Sequence, residues 1–90
     1  MLLISYDISN NKLRTKFSKF LLKYGYRKQY SVFEIKNSDR ILKNIQLAIT
    51  NDFEPTFTQS DSVMIIETSE TCKIVRYGYA VNDESDLIVT

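Results

Sequence analysis

The chain has 90 residues, 43% of them hydrophobic and 26% charged, with two glycines, one proline and a formal net charge of +1. That composition describes one globular domain near the lower size limit for a self-sufficient core, too apolar for a disordered polypeptide and without an internal repeat. There is no histidine and a single cysteine, Cys72, which excludes His-dependent triads, histidine general bases, intrachain disulfides and multi-cysteine zinc sites.

The small net charge hides an asymmetry. Residues 1–50 hold ten Lys/Arg against three Asp/Glu, and residues 51–90 hold two against eight. A basic half is the usual electrostatic footprint of a phosphate-rich ligand; the alternative is that the two halves simply attract each other within the fold. The opening Met-Leu-Leu-Ile is followed at once by Ser5 and Asp7, which leaves no secretory core, and no apolar run approaches the ~20 residues of a membrane helix. A cytoplasmic protein without membrane contact is expected, and Cys72 is expected to pack as a small apolar residue.

In chain order, Leu2 to Ile8 is an apolar run stopped by Ser9, Asn10 and Asn11, which reads as a strand buried in a sheet with Asp7 near its tip. No further acid occurs until Glu34, while Lys12 to Lys28 holds seven basic residues. The turn residues offer side-chain oxygens to cap a helix beginning near Lys12. In that helix Leu13, Phe17, Phe20, Leu21 and Tyr24 form one apolar face, and Lys12, Lys16, Lys19 and Lys23 form a second, basic stripe. Gly25 is expected to end it as a left-handed cap.

Tyr26 to Lys36 is aromatic, β-branched and partly alternating, hence extended, as one bent strand or two short ones. Asn37 or Ser38 caps a second helix reaching about Thr50, with Ile41, Leu42, Ile45, Ala48 and Ile49 on its buried face. Residues 51–60, with Pro55, read as the one long loop. Ser62 to Thr68 is a central strand, Ser69 and Glu70 turn the chain, Cys72 to Ala80 is another strand with Gly78 as a bulge, and Leu87, Ile88 and Val89 form a terminal apolar triplet that needs a sheet edge to join. The domain is thus expected over residues 1–80, with 81–90 a tail and edge strand. Both helices should cover one face of a largely antiparallel α+β sheet, leaving the other face for a second copy.

Without histidine, catalysis would rest on carboxylates and a metal. Asp7 is of the type that holds Mg²⁺ together with waters and substrate phosphates, and a two-fold dimer pairing two copies of Asp7 would supply a second carboxylate. The bland alternative is a strand-end acid hydrogen-bonded to nearby amides, just as the basic stripe alone could be a solvated helix face. Tyr24, Tyr26 and Tyr30 read more as core or interface than as base-stacking residues. The two glycines form no phosphate-cradling loop, which argues against nucleotide binding of the P-loop type.

Taken together, Tyr6-Asp7-Ile8, the basic helix ending Leu22-Lys23-Tyr24-Gly25, the run Gln29-Tyr30-Ser31-Val32-Phe33-Glu34, Asp61-Ser62-Val63 and Arg76-Tyr77-Gly78 resemble the CRISPR-associated Cas-two family. The resemblance covers most of the chain. It implies a ferredoxin-like βαββαβ sandwich with an extra C-terminal strand, the extended segment split in two, and a homodimer stacked sheet to sheet. It also implies a role in spacer acquisition, the dimer bridging two dimers of the Cas-one integrase and binding duplex DNA on basic surfaces. For some relatives it implies a Mg²⁺-dependent endonuclease acting on single-stranded RNA or duplex DNA.

Carried onto this sequence, the resemblance makes Asp7 the metal ligand and catalytic residue. Lys12, Arg14, Lys16, Lys19 and Arg27 become contacts to nucleic acid, Ser31 and Phe33 support the site, and Leu87, Ile88 and Val89 meet the partner. Paired arginines are frequent early in the family's first helix, where this chain has Leu13-Arg14. The readings to separate are a DNA-binding bridge, a metal-dependent nuclease and a protein-only dimerisation module.

Overall fold

The computed structural model describes residues 1–36, 38–68 and 72–78. Its elements run β1 (Leu2–Asp7), α1 (Asn11–Leu21), β2 (Gly25–Gln29), β3 (Val32–Ile35), α2 (Asp39–Ala48), β4 (Ser62–Glu67) and β5 (Lys73–Gly78). The strands form one antiparallel sheet in the order β2-β3-β1-β4-β5. The first four strands and two helices therefore make the ferredoxin-like βαββαβ arrangement, with β5 added beside β4.

Strand β1 is central because its apolar residues fit both neighbours. Ile4 lies opposite Phe33 on one side and Ile65 on the other, and Leu2 lies opposite Ile35. Side chains alternate across a strand, so Leu2, Ile4 and Tyr6 enter one layer with Phe33, Ile35, Val63 and Ile65, and Phe17, Leu21, Ile45 and Ile49 close over them from the helices. Tyr6 meets Phe17 edge to face at 5.2 Å, and Phe17 meets Phe53 in the same way at 4.9 Å. Such ring pairs add about 0.5–1.5 kcal/mol each beyond the area they bury.

Both helix starts follow their capping residues. The Asn10 side chain accepts from the Leu13 amide at 2.9 Å, and the Ser38 hydroxyl accepts from the Ile41 amide at 3.4 Å. Asn10 and Ser38 both have extended backbone, as an N-cap requires.

Four local expectations are corrected. Helix α1 stops at Leu21, one turn before Gly25, and Gly25 opens β2 rather than capping a helix. Its requirement is close approach: a Cβ there would lie 2.1 Å from the Glu34 carbonyl oxygen. Residues 49–56 are a π-helical turn (Ile49–Phe53) followed by a 3-10 turn (Glu54–Thr56), because Ile49 and Phe53 have apolar faces to bury. Gly78 pairs in regular register with Ser62; its φ of +90° and the Asp61 carbonyl, 2.5 Å from where a Cβ would stand, explain the glycine without a bulge. Cys72 is exposed, with φ +43°, instead of packed in the core.

The extended segment is a hairpin, β2 and β3, whose register shifts between Arg27 and Gln29. The triplet Leu87, Ile88 and Val89, the turn at Ser69 and Glu70, and the boundary at residue 80 all lie outside the described residues. No described helix is long and apolar enough to cross a membrane.

Candidate nucleic-acid and metal site

Asp7 ends β1 on the face turned away from the helices. It shares that face with Leu3 and Ser5, and its cross-strand neighbour is Ser62. The carboxylate is exposed and has no hydrogen-bond or ion-pair partner among the described residues. The reading of Asp7 as an acid tied to nearby amides is therefore not met among them. Val32, Met64 and Ile66, opposite Ser5 or Leu3, extend this face as half-buried apolar side chains. At the β2 edge, the Tyr26 hydroxyl donates to Glu34 Oε1 at 2.7 Å and Lys28 Nζ lies 3.2 Å from the same oxygen. The Tyr26 hydrogen bond, with help from Lys28, holds the Glu34 carboxyl below its usual range.

The basic residues lie elsewhere. Lys12, Lys16, Lys19 and Lys23 are exposed along or just beyond α1, on the helix side of the sheet. Lys16, Lys19 and Lys23 border a groove of about 650 Å³ floored by Phe20 and Phe53, with Asp52 on its far wall. Helix α1 has no acid in its first turn, whereas α2 begins with Asp39. Cations at the positive end of a helix dipole cost a few tenths of a kcal/mol. Lys12 and Arg14 break that local preference, as binding residues often do.

Arg14 does not stand free over solvent. Its guanidinium donates to the Ile8 carbonyl at 2.9 Å and to Asn11 Oδ1, and packs 5.9 Å from the Tyr30 ring centroid. Arg27 reaches the same ring at 6.0 Å, covers the Phe33 ring at 5.1 Å and donates to the Tyr30 carbonyl at 2.6 Å. Phe33 is thus the buried floor beneath Arg27, and Ser31 takes the Tyr6 amide on its carbonyl at 3.1 Å, fixing the end of β1 just before Asp7. The sequence-designated residues consequently divide into two groups: Asp7 on the open sheet face, and Arg14, Arg27 and the lysines on the helix side.

Asp61 was not singled out as a site residue, yet it is the one fully buried carboxylate among the described residues. Its Oδ1 accepts from the Ser9 amide and hydroxyl, and its Oδ2 from the Thr58 amide at 2.8 Å. Burial is the largest single influence on this carboxyl and favours the neutral form, but the bonds from Ser9 and Thr58 together outweigh it and bring the pKa below the ordinary 3.8. Asp61 thereby clamps the β1–α1 turn from a strand end 52 residues away. The signal available in the sequence was a lone acid directly before an apolar strand.

The family model for CRISPR associated protein Cas2 matches residues 1–74. The chain belongs to that family. It is similar to the CRISPR-associated endoribonuclease Cas2 2 of Methanospirillum hungatei, 33% identical over 90 residues, covering 98% of this chain and 97% of the relative. The crystal structure of Streptococcus pyogenes Cas2 matches with a TM-score of 0.64 over 77% of this chain and 86% of that one, at 23% identity, which supports the shared Cas2 fold. The matched residues of the family model include Asp7, α1, the β2–β3 hairpin and Asp61, so both groups of site residues lie within it.

Asp7 is an exposed carboxylate at the end of β1, and no group of three or more His, Cys, Asp or Glu side chains gathers among the described residues. Mg²⁺ accepts one or two carboxylates with the rest of its shell as water and phosphate oxygens. Asp7 fits that minimal role, and fits it better if a second copy brings its own Asp7 near.

Proposed function

We propose that the protein acts in CRISPR adaptation as a homodimeric bridge that binds duplex DNA and joins integrase dimers of the Cas-one type for spacer acquisition. The observation that carries this reading is the exposed basic row of α1, Lys12, Lys16, Lys19 and Lys23, on the side of the sheet opposite the apolar stripe of Leu3, Val32, Met64 and Ile66. One face suits phosphates and the other a second copy of the chain, so DNA and the dimer partner do not compete. Residues 81–90, with Leu87, Ile88 and Val89, would extend a sheet edge at the dimer or integrase contact.

A second reading is favoured by Asp7 itself: an exposed carboxylate at a strand end, without a partner among the described residues, in a chain similar to a protein named an endoribonuclease. Two Asp7 carboxylates paired across the dimer would hold Mg²⁺, which supplies charge neutralisation at a phosphodiester and an activated water. Ser31 and Phe33 would serve that site by fixing the end of β1 and the floor under Arg27.

Sedimentation and a DNA titration on one preparation test the bridge. The expected result is a dimer at micromolar concentration that binds duplex DNA, with affinity falling steeply as salt rises. A folded monomer, or a dimer without DNA affinity at low salt, would overturn it, the latter leaving a protein-only dimerisation module.

A further inference from the structure

We infer that Arg14, Lys19, Arg27 and Tyr30 form a pocket for one unpaired nucleotide, its phosphate held by the three cations and its base laid on the Tyr30 ring. The inference rests on the reading that the chain binds nucleic acid, and it adds a discrete site to what is otherwise a diffuse basic surface.

The cavity lies between α1 and the β2–β3 turn, encloses about 340 Å³ and is bordered by those four residues together with Tyr6 and Ser18. That volume is at the small end of ligand pockets, which run from about 300 to 1,000 Å³. Its charge is one-sided: three cations line it and no carboxylate does. No carboxylate pairs with Arg14 or Arg27 among the described residues; their acceptors are the Ile8 and Tyr30 carbonyls and Asn11 Oδ1. Two guanidinium groups brought to one ring without a carboxylate between them favour an anion with several oxygens, and a phosphate is the anion that matches their planar forks.

The frame is built rather than incidental. The Tyr30 carbonyl accepts from Arg27 at 2.6 Å and from the buried Tyr6 hydroxyl at 3.4 Å, so the turn is tied to both the sheet and the arginine. The register shift between Arg27 and Gln29 follows directly on Arg27, which lines the pocket. Bulges of this kind re-aim side chains beside functional sites. Arg14 is held from its own end by Ile8.

Tyr30 supplies the second half of the ligand. Its side chain is the most exposed large apolar group of the described residues, at 69%. Both guanidinium carbons lie within 6.0 Å of its centroid, yet the residue stays exposed. An aromatic ring beside a phosphate site is the arrangement on which a nucleobase stacks. Within a duplex the base faces are occupied by neighbouring bases, so only an unpaired or frayed nucleotide presents one to Tyr30. Lys12 and Lys23 lie outside this pocket and remain available to a duplex backbone.

The test titrates the full-length protein, by amide NMR shifts, with adenosine 5′-monophosphate, adenosine and inorganic phosphate. The expected result is that the monophosphate binds at least tenfold more tightly than either fragment and moves the Arg14, Lys19, Arg27 and Tyr30 signals. Tyr30→Ala should lose about tenfold of that affinity, as base stacking on an aromatic ring typically supplies, with phosphate binding unchanged. Tyr30→Phe should keep it. Since the main-chain carbonyl, not the phenol, makes the hydrogen bonds of residue 30, both variants keep the turn.

Equal binding of monophosphate and inorganic phosphate, or an unchanged affinity in Tyr30→Ala, would overturn the pocket. Competition by a 5′-phosphorylated single strand but not its 5′-hydroxyl counterpart assigns the phosphate to a strand end; equal competition assigns it to the strand interior, and competition by neither overturns the inference. Duplex affinity of the same variants is recorded alongside. Duplex binding without monophosphate binding defeats the pocket alone, and absence of duplex binding defeats the bridge alone.

Discussion

Asp61 holds Ser9 by two bonds at once, its Oδ1 lying 2.9 Å from the Ser9 amide nitrogen and 3.0 Å from the Ser9 hydroxyl. Ser9 lies between Asp7 and the Asn10 cap of α1, so one buried carboxylate sets both the strand end that carries the candidate metal ligand and the start of the basic helix. Asp61→Ala leaves the Ser9 and Thr58 amides without their acceptor. Losing charge-assisted bonds at a buried site should cost about 2–3 kcal/mol, read from the shift in urea midpoint at constant slope. A loss below 0.5 kcal/mol, an order-of-magnitude floor for such bonds, would show that water replaces the carboxylate without penalty.

The same carboxyl gives a pH dependence with a definite sign. Its folded pKa lies below the ordinary 3.8, so near that pH the unfolded chain binds the proton more readily than the folded one. The stabilisation is complete above the unfolded pKa and is lost as the pH falls through the depressed folded value. Wild-type stability should therefore decline below about pH 4 more steeply than that of Asp61→Asn, which has no proton to take up in this range. Parallel acid profiles would mean that other carboxylates dominate acid unfolding.

Gly25→Ala should be among the most damaging single-methyl changes in the chain. The new Cβ would stand 2.1 Å from the Glu34 carbonyl oxygen and 2.8 Å from the Ile35 Cα, both main-chain atoms that cannot swing aside. The β2–β3 pairing must open, at a cost of about 2–4 kcal/mol. Thermal unfolding measures it, and because Arg27 and Tyr30 ride on this hairpin, monophosphate binding should fall as well.

These positions also mark how far the sequence could be read. The capping candidates, of which Asn10 and Ser38 are the ones used, the apolar faces of both helices and the apolar run of β1 are local patterns, and each found its element. Gly25 was legible as a special position but not as a close approach, since a helix cap and a crowded strand start ask for the same residue. The clamp from Asp61 to Ser9 spans 52 residues, and no local spacing encodes it. Tyr30 was read as a core or interface residue because an aromatic in a β-rich segment usually is; only the hairpin turn shows it at the surface between two arginines. That Asp7 and the basic stripe lie on opposite sides of the sheet was not legible locally: strand alternation turns Asp7 to the face that the helices do not cover.

Replacing Lys12, Lys16, Lys19 and Lys23 together by Ala should weaken duplex binding without regard to sequence and lower the slope of log affinity against log salt by about 0.9 for each lysine that had met a phosphate. These side chains are exposed, so the fold should hold. Electrophoretic titrations at several salt concentrations read both quantities. An unchanged slope would make the stripe a solvated face and move the duplex to another surface.

The separation of Asp7 from the basic side gives the two functional readings different requirements. A nuclease needs the carboxylate, because the chain has no histidine and no described cluster of acids to hold Mg²⁺ in its place. A bridge does not need it: phosphate binding falls to the lysines and arginines across the sheet, and assembly to the apolar stripe. Asp7 is exposed and unpartnered among the described residues, so its removal should change stability by less than about 0.5 kcal/mol. The expected outcome is that Asp7→Ala remains folded and dimeric, binds duplex DNA as before, loses at least a hundredfold of any Mg²⁺-dependent cleavage, as an order-of-magnitude figure for an essential catalytic group, and still supports DNA integration when mixed with the integrase. Cleavage and integration measured on one preparation check it. Failure of integration by a folded, DNA-binding Asp7→Ala dimer would place metal chemistry at Asp7 within the biological task and reverse the preference for the bridge.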